Sequence, residues 1–215
     1  MNHINLWTSA DHALNYLALA DSIPHRTEGE AVLLELVPKN VKRILDLGTG
    51  DGRLLSLLKI ERPKVESIAV DFSPTMLEAA RKRFAEDTTT EVVAHNLDDP
   101  LPTSLSKNGR FDVVVSSFAI HHLIHTRKKT LYTEIFDLLE PGGVFCNLEH
   151  VASPTPTVHA YFRKAIGIEN QPEDPSNKLL DVETQLNWLR ELGYIDVDCY
   201  WKWLELGLLV GFKPN

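Results

Sequence analysis

Residues 44–55 read ILDLGTGDGRLL, in which an acid, Asp46, precedes three glycines, Gly48, Gly50 and Gly52. Glycine lets a backbone turn sharply and lets a ligand approach it closely. A loop of this kind, between a buried strand and a helix, can cradle a polar cofactor. A second acid, Asp71, ends the run IAVDFSP. A carboxylate there can accept hydrogen bonds from both hydroxyls of a ribose. Further on come His121 and His122, with His125 beyond. An imidazole that titrates near neutrality can take a proton from an attacking hydroxyl or amine. No carboxylate-rich companion accompanies the three histidines, so no metal is expected.

These residues need strands and helices to position them. Short apolar runs recur at 43–47, 67–70, 91–94, 111–116 and 144–149, with helical patterns between most of them. Buried strands alternating with helices imply βαβ units and a mostly parallel sheet. Ser73 as cap and Pro74 at the first helical position open one helix, with Met76, Leu77, Ala80 and Phe84 inward. Another spans 127–139, with Leu131, Ile135, Leu138 and Leu139 inward, and ends at Pro141-Gly142-Gly143. Residues 1–40 read as two helices. Ser9 can cap the first, whose inner side carries Leu14, Leu17 and Ala18; Thr27 and Glu30 form a capping-box pattern for the second, which Pro38 closes. Residues 151–180 carry Pro154, Pro156, Pro172 and Pro175 and fit one short helix, Thr157 to Gly167. A last helix runs from Asp181 to Gly193. Ile195, Val197, Cys199, Trp201 and Trp203 then share one face of a strand, and Leu204, Leu206, Leu208, Val210 and Phe212 share the next. The parity change at 203/204 indicates a tight turn or bulge joining an antiparallel pair.

The glycine spacing discriminates between cofactors. A dinucleotide fingerprint places its third glycine at position 53, which here is Arg53. The pattern D-x-G-x-G-x-G, followed by Asp71, resembles the class I S-adenosylmethionine-dependent methyltransferases, over roughly residues 41–150 and by pattern in the last strand pair. The resemblance implies an α/β doubly wound, Rossmann-like sheet of seven strands, six parallel and one antiparallel, with helices on both faces. It implies that Gly48, Thr49, Gly50 and Gly52 wrap the methionyl part of S-adenosylmethionine while Asp46 helps hold its amino group. Asp71 then takes the ribose and Phe72 lies along the adenine. The family usually has an acid after the third strand to read the adenine amino group. Here Asn96 aligns with it, followed by Leu97, and Asp98 is the other candidate. Ser116 and Ser117 sit at the end of the fourth strand, where doubly wound sheets place ligands. In small-molecule members a histidine after that strand works with an acid ending the fifth. His121 or His122 with Glu149 would be that catalytic set. His12, Tyr16, His25 and Arg26 are candidates for a lid over the cofactor. Trp201, Lys202, Trp203 and Glu205 fall near the last turn, the tryptophans at core parity and Lys202 outward.

Composition narrows the partners. The chain has 215 residues and a formal net charge of −8. That charge repels polyanions, since nucleic-acid binding rests on Lys and Arg neutralising phosphates. The clusters Arg81–Arg83 and Arg127–Lys129 read as solvated helix faces. The Asp/Asn-Pro-Pro-aromatic motif of amino-methylating nucleic-acid enzymes is replaced by Ser116-Ser117-Phe118-Ala119. No apolar stretch reaches the roughly 20 residues of a membrane span, and no secretory signal pattern stands at the N-terminus. Cys146 and Cys199 form no C-x-x-C, which points to a reducing cytoplasm. The expected whole is one domain: a helical lid at 1–40, a cofactor core at 41–150, an insertion at 151–180, and a last helix and strand pair at 181–215. The expected activity is methyl transfer to a small-molecule acceptor. The alternatives are a cofactor-binding regulator or subunit without transfer activity, and a nicotinamide oxidoreductase, which Arg53 disfavours.

Overall fold

A computed structural model describes Trp7, residues 9–19 and residues 23–215. Two helices, α1 (Ala10–Leu19) and α2 (Arg26–Leu36), lead into β1 (Arg43–Leu47). Alternation follows: α3 (Arg53–Glu61), β2 (Glu66–Asp71), α4 (Pro74–Arg83), β3 (Thr90–Ala94), β4 (Phe111–Ser117), α5 (His125–Leu138) and β5 (Leu139–His150). Then come α6 (Pro156–Ala165), α7 (Val182–Glu191), β6 (Ile195–Trp203) and β7 (Leu206–Phe212). The strands form one sheet in the order β3-β2-β1-β4-β5-β7-β6. β7 alone runs against its neighbours, so six strands are parallel and one antiparallel, as the resemblance implies. The order reverses between β1 and β4. Such a switch point opens a crevice at the strands' C-terminal ends.

Alternation within β1 explains the two helical layers. Ile44 faces Leu33 and Val37 of α2 and Leu54, Leu55 and Leu58 of α3. Leu45 and Leu47 face Leu131, Tyr132 and Ile135 of α5, and Leu189 of α7 belongs to the same layer. Asp46 therefore points to the α2–α3 side, the side from which the glycine loop leaves.

Several local expectations change. α2 starts at Arg26 with His25 as its left-handed cap (φ 61°), so Thr27 and Glu30 are inside the helix and make no capping box. Glu30 instead takes the Arg26 guanidinium at 2.8 Å. Ser73 holds the cap position of α4 with Pro74 next, but its hydroxyl makes no capping bond and is buried without a partner among the described residues. Ser9 Oγ lies 3.5 Å from the His12 N–H it was expected to cap; the side chains of Leu17 and Ala18 are outside the described residues. α5 stops at Leu138 because Leu139 already pairs with Phe111. Leu204 and Glu205 make the two-residue turn of the last hairpin. β6 carries two register shifts. Each bulge reverses the side-chain parity, so the five residues expected on one face divide. Val197 packs with the α5–α7 layer and Trp201 and Trp203 with the α2–α3 layer. The basic clusters are also more than solvated faces: Lys128 is buried and Arg83 pairs with Asp51. Among the described residues, no helix is long and apolar enough to cross a membrane.

Arg62 ties the two helices beneath the glycine loop. Its buried guanidinium donates to Pro38 O at 2.9 Å, to Leu34 O at 3.2 Å and to Val37 O. These carbonyls end α2, where a cation also answers the helix dipole. Arg62→Leu leaves them buried and unpaired. The expected loss is about 2–4 kcal/mol of unfolding free energy in urea titrations; a loss below about 0.5 kcal/mol contradicts this role.

Candidate active site

A cavity of about 410 Å³ opens at the switch point. Its floor is the loop after β1. Gly48, Gly50 and Gly52 all have left-handed backbones, φ 70°, 58° and 82°. The reasons differ. A Cβ on Gly48 would lie 2.1 Å from the Ala119 Cβ, and one on Gly52 would lie 2.4 Å from the Phe84 ring. At Gly50 only Met76 Sδ comes near, at 3.9 Å, so this flank is open. Thr49 donates its N–H to Val70 O at 2.8 Å, which ties the loop to β2.

Asp46 and Asp71 stand on either side of the loop and both line the cavity. Asp46 Oδ2 accepts from the Thr49 hydroxyl at 2.6 Å. Its Oδ1 is buried with no partner among the described residues. Burial, with Asp71 and Asp51 nearby, pushes its pKa up to about 7 against the Thr49 bond. Asp71 Oδ2 accepts from Gly50 N at 2.9 Å, and Oδ1 from Phe72 N and Ser73 N at 2.8 and 2.9 Å. Burial raises its pKa while these bonds oppose the rise. An orphaned acid oxygen beside an open glycine fits the ammonium end of an amino-acid ligand. Each carboxylate oxygen has two lone pairs, so Asp71 Oδ1 is saturated by its two N–H donors and Oδ2 keeps one lone pair for a ligand hydroxyl; the expected pair of ribose hydroxyls finds one open acceptor position. Phe72, Leu97, Asn96 and Asp98 line the same cavity with Met76, Leu123 and Ile124. Asn96 Oδ1 accepts from Asp98 N at 3.0 Å, so the two candidate adenine readers sit on one turn. Arg127 braces that turn from α5 by donating to Leu97 O and Asp99 O.

Ser116 is placed elsewhere. Its hydroxyl donates to Leu47 O at 2.8 Å inside the sheet, and it does not line the cavity. Ser117 does, with a hydroxyl buried and unpartnered among the described residues. Phe118 follows with φ 52°, a strained conformation for a bulky residue. That kink sets Ala119 against Gly48 and places the Phe118 ring under the Arg26 guanidinium, 5.3 Å away.

The histidine pair divides. His122 lines the cavity; His121 and Glu149 do not. His121 Nδ1 and Glu149 Oε1 are 2.6 Å apart, both groups buried. Burial lowers the His121 pKa and raises that of Glu149, pushing each toward its neutral form. The His121 ring stacks on His122, with centroids 3.9 Å apart. His122 Nε2 accepts from Trp7 Nε1–H at 2.9 Å, and its Nδ1 lies 3.1 Å from Ser176 Oγ. Burial first, then His121, takes its pKa down to about 2. His125 opens α5, with Nε2 3.3 Å from Leu179 O.

Of the expected lid, Arg26 lines the cavity. His25 instead stacks on Trp203, centroids 4.4 Å apart. His12 meets Trp7 edge-on, and the Tyr16 side chain is outside the described residues. Lys202 faces outward and is exposed, as its parity requires, while Glu205 is fully buried. Three cavity features escaped the sequence reading. One is an ionic triad in which Glu30 takes Arg26 at 2.8 Å and Arg53 at 2.9 Å. Its i,i+4 spacing in α2 was the available signal. The others are Trp7 and the turn bearing Ser176 and Lys178, which no local pattern marks. Among the described residues, no group of three or more His, Cys, Asp or Glu side chains is placed to hold a metal.

A methyltransferase-domain family model matches residues 45–145. A demethylmenaquinone methyltransferase of Clavibacter sepedonicus is 30% identical over 178 residues, which cover 76% of this chain and 69% of that protein. An uncharacterized methyltransferase of Mycobacterium tuberculosis is 36% identical over 114 residues, 53% of each chain. Among solved structures, an O-methyltransferase family protein from Burkholderia thailandensis superposes with a TM-score of 0.73 at 19% identity, over 97% of this chain and 62% of that one. The chain thus spans between about half and two thirds of these relatives' lengths. It belongs to the class I S-adenosylmethionine-dependent methyltransferases. S-adenosylmethionine is the methyl donor of that family, and the orphaned Asp46 oxygen, the open Gly50 flank and Asp71 fit it.

Two outcomes follow from this geometry. Gly50→Ala keeps the fold, since its Cβ has room, at a strain cost of about 1–2 kcal/mol. It abolishes S-adenosylhomocysteine binding in calorimetry, because the methyl group fills the open flank. Gly48→Ala, in contact with Ala119, loses thermal stability as well. Affinity for S-adenosylmethionine also depends on pH. Below about 7 the free Asp46 is protonated and must release a proton to meet an ammonium, so affinity falls by up to about tenfold per unit. It rises with pH through 7 and declines again as the ligand's own α-amino group loses its proton, near 8. Titrations in two buffers of different ionisation enthalpy show proton release below 7 if Asp46 is the partner. Flat affinity across this range removes it.

Proposed function

We propose that this chain transfers a methyl group from S-adenosylmethionine to a hydroxyl, amine or carbon of a small organic molecule. The observation that carries the reading is a single cavity. One end is walled by the glycine loop with Asp46 and Asp71, the other by His122, Trp7, Ser176 and Lys178. A relative named for demethylmenaquinone supports an acceptor of that size, and a net charge of −8 disfavours nucleic acid.

S-adenosylmethionine, when bound, supplies a methyl group on a sulfonium, a bond with a good leaving group. The protein's task is therefore alignment and charge placement. Asp46 Oδ1 would take the ammonium, and the Arg26–Glu30–Arg53 triad, with two cations and one anion, the carboxylate. Asp71 would take a ribose hydroxyl on the remaining lone pair of Oδ2. Phe72, Leu97 and either Asn96 or Asp98 would hold the adenine. Thr49 and Gly52 set the path of the loop. His122 would accept a proton from a hydroxyl or amine acceptor when that acceptor displaces the Trp7 N–H from Nε2 and relieves the burial that holds its pKa down. His121 and Glu149 lie behind it, bonded to each other at 2.6 Å and away from the cavity lining, so their part is to fix the turn that carries His122.

Asp71→Ala is expected to cost about 2–3 kcal/mol of cofactor binding, which is about 30- to 150-fold in Kd. Asp98→Ala, a turn change, costs much less. Near-native affinity in Asp71→Ala with loss in Asp98→Ala would put the ribose on the wrong strand. The function itself is tested with isotopically labelled S-adenosylmethionine and a panel of phenols, quinols and amines. Label should enter a small molecule, and His122→Ala should lower turnover by roughly 10²–10⁴-fold with cofactor affinity unchanged. Label entering only nucleic acid or protein overturns the acceptor class, and unchanged turnover in His122→Ala overturns the base.

A further inference from the structure

We propose that Ser176 and Asp174 are positioning residues that hold His122 in one tautomer, with its proton on Nδ1 and an unprotonated Nε2 whose lone pair accepts from Trp7 at the cavity wall. The segment between β5 and α7 thereby prepares the proton-accepting atom. The proposal rests on the reading above, in which His122 serves the methyl acceptor.

Four groups stand in one line. Trp7 Nε1–H lies 2.9 Å from His122 Nε2. His122 Nδ1 lies 3.1 Å from Ser176 Oγ, and Ser176 Oγ lies 2.7 Å from Asp174 Oδ1. An indole N–H only donates, so Nε2 must be the accepting nitrogen. An ionised carboxylate only accepts, so the Ser176 proton lies toward Asp174. The Ser176 oxygen is then left with lone pairs facing His122, and Nδ1 must supply the hydrogen. All three bonds are satisfied with the proton on Nδ1. The other tautomer sets Nε2–H against the Trp7 N–H and the Nδ1 lone pair against the oxygen of Ser176. The doubly protonated ring meets the same clash at Nε2, and burial disfavours its charge.

Asp174 is able to fill this role. Burial works against its charge, but the Ser176 hydroxyl and backbone N–H, the latter at 2.8 Å, outweigh it and hold its pKa below the usual value. Ser176 itself is buried. The segment is also fixed against the turn that bears the histidines. Lys178 N donates to His121 O at 2.8 Å. The buried Lys128 ammonium donates to His121 O at 3.2 Å and to Lys178 O. With its position fixed on both sides, the line from Asp174 to His122 has no slack in which to exchange tautomers.

The tautomer can be read without any acceptor. Long-range proton–nitrogen correlation on histidine-labelled protein distinguishes the two ring nitrogens. The chain has nine histidines, so His122 is assigned by the signals lost in His122→Gln. In the wild type, Nε2 is expected to appear unprotonated and Nδ1 protonated. Ser176→Thr keeps the hydroxyl and should keep this pattern. Ser176→Ala removes the acceptor and, in a Trp7→Phe background that also removes the indole donor to Nε2, should lose the single tautomer. Asp174→Ala should do so as well, because the Ser176 O–H is then free to turn toward Nδ1. Thermal unfolding checks each variant. A wild-type proton on Nε2, or a single Nδ1–H tautomer that survives Ser176→Ala in the Trp7→Phe background, overturns the proposal. If Ser176→Ala does not fold, the wild type and Ser176→Thr still decide. A protein with the expected tautomer that methylates no small molecule would refute the functional reading and leave this one standing.

Discussion

The site depends on how closely two loops approach. Gly48 leaves β1 and Ala119 leaves β4, and any side chain at position 48 would meet the methyl of Ala119 at 2.1 Å. The approach needs a left-handed backbone on both sides of the contact, φ 70° at Gly48 and φ 52° at Phe118. Glycine adopts its value freely. Phenylalanine does so only under constraint, here burial, a bond from its N–H to Leu148 O at 2.8 Å and the Arg26 guanidinium over its ring. The contact sets the distance between the two acids after β1 and β2 and the histidine after β4. It makes one cavity of what a looser crossing would leave as two.

Much of this was legible because it is local. A strand that ends in an acid and three glycines states its own turn, and Asp71 ends its strand by the same logic. The strand and helix alternation fixes the topology through rules of connection. What could not be read depends on partners distant in the chain. Ser116 and Ser117 differ only in which side of the β4 tip they take, and a hydrogen bond to Leu47 settles it. The Thr27–Glu30 pattern has the spacing of a capping box, yet Glu30 answers Arg53, which lies across the interface with α3. The bulges in β6 reverse parity without leaving a residue type that marks them. Ser176 lies in an irregular segment where no periodicity operates.

The division between His121 and His122 shows how adjacent identical residues acquire different chemistry. They sit on one short 3-10 turn and stack on each other. One turns its Nδ1 to a buried carboxyl on β5 and the other to a hydroxyl in the segment before α7. Burial favours the neutral form of both, and both nitrogens of His122 are engaged, Nε2 by Trp7 and Nδ1 by Ser176.

The place of β7 bears on how the molecule assembles. β7 follows β6 in the chain yet lies inside it in the sheet, between β5 and β6. A two-residue turn joins them, so this hairpin can form locally and then dock as a unit on the open edge of β5. Docking brings the buried Glu205 of that turn to His150 at 2.9 Å and to His159 of α6 at 2.7 Å. Glu205 adds to a carboxylate that α6 already has from the following segment, since Glu173 lies 2.9 Å from His159 and 3.2 Å from Arg163. The parallel strands that shape the nucleotide half pair without β7. The donor's half of the site thus rests on strand pairs that do not involve β7, while the acceptor's half also leans on the hairpin through Glu205.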